Sequence, residues 1–186
     1  MSNLVACGSV HGRFQPPHLG HLEYITEAKS LCNFLWIGIT QYDLRALKNT
    51  SIAEHRSEKQ SNPLTYWERV SAISLMLESI GIDKREFGFT PFPIEQPEKI
   101  RDFLGEDVVC FTTIYDEWNR EKVNILKKLG YDVRILWERQ KKDHVGSTIR
   151  RKIIENDKSW GDHLEDSVKQ YIDSNKIADR IRKLEK

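Results

Sequence analysis

Apolar runs of strand length alternate along this chain with segments of helical period. Leu4 to Val10 reads as a buried strand. From Leu19 to Ser30 the residues Leu19, Leu22, Ile25 and Ala28 recur at the spacing of one helix face. Asn33 to Thr40 predicts a second strand. The stretch Gln41 to Asn62 is charged and aperiodic, and its length marks it as a candidate substrate loop or lid. Asn62-Pro63-Leu64-Thr65 opens a second helix with Val70, Ile73, Leu77 and Ile80 on its inner face. Strands follow at Glu86–Pro93, Asp107–Thr113 and Tyr131–Trp137, the last preceded by a helix over Asp116–Leu129 that closes at Gly130. Two helices, about Ser147 to Glu155 and Gly161 to Ser174, and a charged helical tail, Lys176 to Lys186, complete the pattern.

Strands that alternate with helices and lack a polar face predict an α/β fold, a doubly wound parallel sheet covered on both sides. Ligands of such sheets sit beyond the carboxyl ends of the strands, where strand order reverses. The length fits a single domain over residues 1–186, with a helical C-terminal part from about 147.

Composition narrows the partners. The formal net charge of +1 gives no global reason to bind nucleic acid or membranes, so any anion site must be local. Cys7, Cys32 and Cys110 are odd in number and set in apolar runs, which predicts free buried thiols in a reducing compartment. No segment has the form of a signal peptide or a bilayer span, so a cytoplasmic protein is expected.

The candidate chemistry lies between the first strand and the first helix, in Gly12-Arg13-Phe14-Gln15-Pro16-Pro17-His18-Leu19-Gly20-His21. A doubly wound fold places its first phosphate-binding turn there. Gly12 permits close backbone approach, the two prolines stiffen the turn, and Gly20 leaves room beside a helix start whose amides favour anions. His18 and His21 are three apart and share a face if the helix begins near His18. Two surface histidines would show the same spacing, and a zinc pair would need further ligands that no nearby Cys or acid supplies.

Near the other end, Ser147 and Thr148 precede an apolar helical run, and a hydroxyl there also suits a plain N-cap. Arg150 is less easily explained: an arginine in a first turn opposes the helix dipole unless an anion is near. A phosphate supplies that anion and matches the guanidinium fork; a solvated arginine is the alternative, and Arg151 and Lys152 are read as solvated.

The Gly12–His21 segment resembles the opening motif of the archaeal-type nicotinamide mononucleotide adenylyltransferases, within the nucleotidyltransferase superfamily named for its His-x-Gly-His signature. In the same order, Asn62-Pro63-Leu64-Thr65-Tyr66-Trp67-Glu68-Arg69 resembles the family's Asn-Pro-Phe-Thr-x-x-Glu-Arg, and Gly146-Ser147-Thr148-Ile149-Arg150-Arg151 its Gly-Thr-x-Ile-Arg-Arg. The resemblance implies a Rossmann-like sheet of about five strands and transfer of AMP from ATP to nicotinamide mononucleotide or a close analogue, with pyrophosphate leaving. It implies Mg2+ with the triphosphate and leaves homo-oligomeric assembly open. His18, His21 and Arg150 are the implied catalytic residues. Gly12, Arg13, Phe14, Gln15, Gly20, Ser147 and Thr148 join them as nucleotide-binding residues.

The acceptor side departs from that pattern. The family carries a tryptophan after its third strand, where this chain has Ile94-Glu95-Gln96-Pro97-Glu98-Lys99-Ile100. After the fourth strand a short Ser-Gly-Asn-Pro turn is replaced by Thr112-Thr113-Ile114-Tyr115-Asp116-Glu117-Trp118-Asn119. Arg13, Tyr115, Trp118 and Asn119 are therefore the candidate acceptor residues, with Tyr115 and Trp118 readable equally as stacking surfaces or as core. His11 stands where the family has an apolar residue, and reads either as a satisfied, partly buried histidine or as a base or phosphate contact. Another transferase acceptor, a phosphate or phosphonate with CTP in place of ATP, fits these departures. A non-catalytic nucleotide-binding regulator would be expected to lose a motif histidine or Arg150, and both are kept.

Overall fold

A computed structural model describes residues 4–47 and 57–184. Residues 48–56, within the predicted polar loop, and the last two residues of the predicted tail lie outside the described residues. Five strands, β1 (Val5–Gly12), β2 (Cys32–Ile39), β3 (Phe87–Pro91), β4 (Val109–Ile114) and β5 (Val133–Glu138), form one sheet in the order β3-β2-β1-β4-β5. Every neighbouring pair is parallel. The doubly wound α/β reading is the fold observed, and the strand order reverses between β1 and β4, where such sheets bind ligands.

Side chains alternate across each strand, so the sheet divides its apolar residues between two cores. Val10, Leu35, Ile37 and Phe111 pack with α1 (Leu19–Lys29), α2 (Tyr66–Ser79) and the C-terminal helices α4 (Gly146–Ile154), α5 (Asp166–Ser174) and α6 (Ile177–Lys183). On the opposite face Cys110 and Phe92 pack with α3 (Glu117–Lys128) and a 3-10 turn over Pro97–Asp102. All three cysteines are free; Cys32 and Cys110 are buried and Cys7 half-buried. Among the described residues no helix is long and apolar enough to cross a membrane.

Several elements differ from the pattern-based expectation. The ladder between β1 and β2 continues past the apolar run to pair His11 with Gly38 and Gly12 with Ile39. Gly12 therefore ends a strand instead of starting a loop. Helix α2 begins at Tyr66, capped by a reciprocal Thr65–Glu68 box. Its buried face is Arg69, Ala72, Ile73, Met76 and Leu77, whereas Val70 is half-buried and Ile80 is 45% exposed. The shift follows from Arg69, which is drawn inward by backbone carbonyls and rotates the helix with it. The predicted Gly161–Ser174 helix is split: a 3-10 turn over Lys158–His163 ends before α5, which Glu165 caps by accepting from the Ser167 amide. Val145, not Ser147, is the N-cap of α4, so the capping role for Ser147 does not hold.

Candidate active site

A cleft of about 410 Å³ opens over the carboxyl ends of β1 and β4. Five cationic side chains (Arg13, Lys122, Arg139, Lys142 and Arg150) and three carboxylates (Glu23, Asp116 and Asp143) line it. The chain as a whole carries only +1, so the positive charge is concentrated where an anion would enter.

The flank formed by α1 and α4 is built on buried hydrogen bonds. Arg69 is fully buried and donates to the carbonyls of Thr65, Arg13, Thr40 and Gln41 at 2.7–3.2 Å. Loss of water pushes its guanidinium down to about 10. Gln15 and Leu64 exchange two bonds, side-chain amide to carbonyl at 2.9 Å and backbone N–H to Oε1 at 2.8 Å. The first and second motif segments are thus locked together by Arg69 and Gln15. Arg150 completes the link by donating to the Gln15 carbonyl at 2.6 Å. It is buried, so the solvated reading of Arg150 does not hold. Nor is Lys152 simply solvated, since its Nζ donates to Ser159 Oγ at 2.7 Å. A Cβ on Gly146 would fall 2.9 Å from the Gln15 oxygen, so only glycine lets α4 start this close to the loop.

His18 is the N-cap of α1, its Nδ1 accepting the His21 amide at 3.3 Å, and the two rings stack with centroids 3.7 Å apart. Neither behaves as a surface histidine. Burial, and then the neighbouring His21, hold His18 well below the ordinary histidine range. Burial, then the Lys142 and Arg13 charges, bring His21 down to about 3. Both are therefore neutral near pH 7. His21 Nδ1 is buried without a hydrogen-bond partner. An arriving phosphate would supply one.

The other flank comes from β4, α3 and β5. Tyr115, Asn119, Lys122, Trp137 and Arg139 line it, together with His11 and Thr112 from the strand ends. The Asn119 Oδ1 accepts the Tyr115 amide, and Trp137 donates to the Tyr115 hydroxyl at 2.8 Å. Arg139 lies 4.5 Å over the Trp137 ring and Lys142 5.1 Å over that of Tyr115.

Of the residues singled out in the sequence, Gly12, Arg13, Phe14, Gln15, His18, Gly20, His21, Ser147, Arg150, Tyr115 and Asn119 line this one cleft. Phe14 and Gln15 are at the same time structural, Phe14 fully buried in the core. Thr148 is not among the lining residues, and Trp118 is packed in the core against α3's face of the sheet. Several participants went unflagged in the sequence, Lys142 among them. Lys122, Trp137 and Arg139 sit at ordinary helix and strand positions. His144 lines the cleft with its Nδ1 3.1 Å from that of His163, and no local pattern joins histidines that far apart. Arg69 matched a motif letter, but the inward charge inside an apolar helix face was its only physical signal.

The family model described as cytidylyltransferase-like matches residues 10–153, which include all three motif segments. The chain belongs to this family. Its nucleotidyltransferase relatives match nearly end to end. The phosphonoformate cytidylyltransferase of Streptomyces viridochromogenes is 32% identical over 96% of this chain and 97% of its own length. The nicotinamide-nucleotide adenylyltransferases of Pyrococcus horikoshii and Saccharolobus solfataricus are each 30% identical, over 93% and 95% of this chain and 86% and 95% of theirs. Among solved structures, a bifunctional NMN adenylyltransferase/ADP ribose pyrophosphatase from Francisella tularensis superposes with a TM-score of 0.68 at 16% identity. That match covers 96% of this chain and 52% of the Francisella chain, so this chain spans about half its length, and the likeness is one of fold.

Proposed function

We propose that this chain transfers a nucleoside monophosphate group from a nucleoside triphosphate to a phosphate-bearing small molecule, releasing pyrophosphate. The observation that carries this reading is one locally cationic cleft lined by the first and third motif segments and braced by the second through Gln15 and Arg69. An oxygen of the acceptor's phosphate attacks the α-phosphorus, the new P–O bond forms, and the bond from that phosphorus to the bridging oxygen breaks. The attacking oxygen is already anionic, so no general base is needed. Rate then comes from positioning and from donors aimed at the charge on the α-phosphoryl oxygens. His18 and His21 fit that role as neutral N–H donors, and Ser147 and Arg150, lining the cleft at the start of α4, suit the β- and γ-phosphates. Among the described residues no group of three His, Cys, Asp or Glu side chains is placed to hold a metal ion. Mg2+ carried on the triphosphate oxygens would screen their charge.

Transfer of AMP from ATP to nicotinamide mononucleotide, as in NAD biosynthesis, is the reading supported by the archaeal relatives. Tyr115 and Trp137 supply the aromatic surface that reading needs on the acceptor side. A second reading, CMP transfer to a small phosphonate, is favoured by the Streptomyces relative and by one local feature: the rings of Tyr115 and Trp137 are covered by Lys142 and Arg139. Those cations occupy faces on which a nicotinamide ring would stack. Pyrophosphate release from ATP or CTP with nicotinamide mononucleotide or phosphonoformate, in the presence of Mg2+, tests the proposal. Release that requires one nucleotide and one acceptor is expected; no release from any pair would overturn it.

A further inference from the structure

The acceptor flank holds two buried polar side chains that the triphosphate motifs do not use. His11 is 3% exposed, stacks flat on Phe92 at 4.5 Å, lines the cleft, and has no hydrogen-bond partner at either ring nitrogen. The Thr112 hydroxyl is 1% exposed and also lines the cleft. It lies beside the Tyr24 phenol, whose proton goes to the Phe111 carbonyl at 2.6 Å, and has no well-formed hydrogen bond of its own. The parallel register sets Ser9 opposite Cys110. Past that pair the Tyr24 hydroxyl stands between the strands, accepting the His11 amide at 3.4 Å and donating to the Phe111 carbonyl, and by alternation His11 and Thr112 both fall on the α3 face. Buried polar groups are normally satisfied, and two unsatisfied ones lining the same open cleft point to a ligand group that satisfies them. What faces them from α3 is donor-rich: the Asn119 amide and the Lys122 ammonium line the same wall. Burial, and then the Lys122 charge, keep the imidazole neutral, so it offers an N–H rather than a second cation.

We propose that His11 and Thr112, with Asn119 and Lys122, form a subsite that binds a carboxylate of the acceptor while a phosphate or phosphonate oxygen of the same molecule attacks the triphosphate. The donors match a carboxylate's lone pairs, and Lys122 supplies the opposite charge. The proposal rests on the second reading, transfer to a small phosphonate, and extends it to a specificity-determining pair, His11 and Thr112.

The test uses the full chain and a matched pair of acceptors, phosphonoformate and methylphosphonate, which differ in the carboxylate. In pyrophosphate release, the wild type is expected to prefer phosphonoformate by at least about tenfold in kcat/KM, the scale of one well-made charge-assisted bond. His11→Leu and Thr112→Val should abolish most of that preference while leaving the KM for the nucleotide unchanged. A folded His11→Leu protein with the preference intact overturns the subsite, as does a wild type that uses nicotinamide mononucleotide and ignores phosphonoformate. If no pair releases pyrophosphate, the transferase reading fails and the subsite is judged alone by calorimetric titration of phosphonoformate. Binding to the wild type but not to His11→Leu supports it; no binding, or equal binding, overturns it.

Discussion

The two flanks of the cleft are constructed in opposite ways. On the α1–α4 flank the groups that fix the backbone are paired, with the buried His21 Nδ1 left open: Arg69 takes four carbonyls, Gln15 and Leu64 exchange two bonds, and Arg150 returns to Gln15. On the α3 flank, His11 and Thr112 are buried without hydrogen bonds of good geometry, and exposed-side cations rest on aromatic rings. The first flank is rigid before any ligand arrives, which suits a triphosphate common to the whole reaction class. The second has unsatisfied groups whose pairing depends on which acceptor arrives. On the proposed reading, preorganisation and selectivity fall to different strands and helices of one site.

The comparison is broken most severely at Arg69. Arg69→Leu strands several buried carbonyls at about 1–3 kcal/mol each, so unfolding free energy should fall by about 3 kcal/mol or more, measured by urea denaturation. A loss under about 1 kcal/mol would mean that the first flank does not depend on this anchor.

Acid acts on both flanks. His21 is lowered on folding from 6.5 to about 3, and His18 and His11 move in the same direction. The unfolded chain therefore takes up protons first as pH drops through 6.5. Stability is full above that pH and falls between 6.5 and about 3, by up to about 1.4 kcal/mol per pH unit for His21 alone. Denaturation midpoints at pH 7.5 and pH 5.5 check the sign, and His21→Ala should flatten the slope.

Smaller changes sharpen the contrast. Gly146→Ala pushes a methyl group against the Gln15 carbonyl and should cost about 1–3 kcal/mol, with a matching rise in the KM for the nucleotide but not for the acceptor. Arg180 pairs with Glu68 at 2.6 Å but its side chain is 41% exposed, so Arg180→Met should cost no more than about 1 kcal/mol in thermal or urea unfolding.

Most of the fold was legible because apolar period and strand–helix alternation report burial directly. Leu35, Ile37 and Val10 behave as their run predicted. The errors fall where a polar residue overrides that signal. Arg69 turned the face of α2, His11 lies inside a strand that the apolar pattern ended too early, and the acids Asp157 and Glu165 cap two short elements that read as one helix. At the site, the three motif segments were visible because each is contiguous in sequence. The Tyr115–Trp137 bond and the His144–His163 contact were not, since each joins residues from different elements and carries no spacing rule. Trp118 shows the same limit from the other side: an aromatic at a helix start can face the cleft or the core, and here the turn of α3 directs it to the core.

On the proposed reading, the α1–α4 flank carries the chemistry whichever acceptor is used. The direct measurement is pyrophosphate release under single-turnover conditions by wild type and His21→Ala, with unfolding curves of both recorded near neutral pH. Loss of one donor aimed at the transferring phosphoryl group should slow turnover by about 10²–10³, or about 2.7–4 kcal/mol of barrier, while the protein stays folded. A folded His21→Ala protein that releases pyrophosphate at close to the wild-type rate would contradict the account.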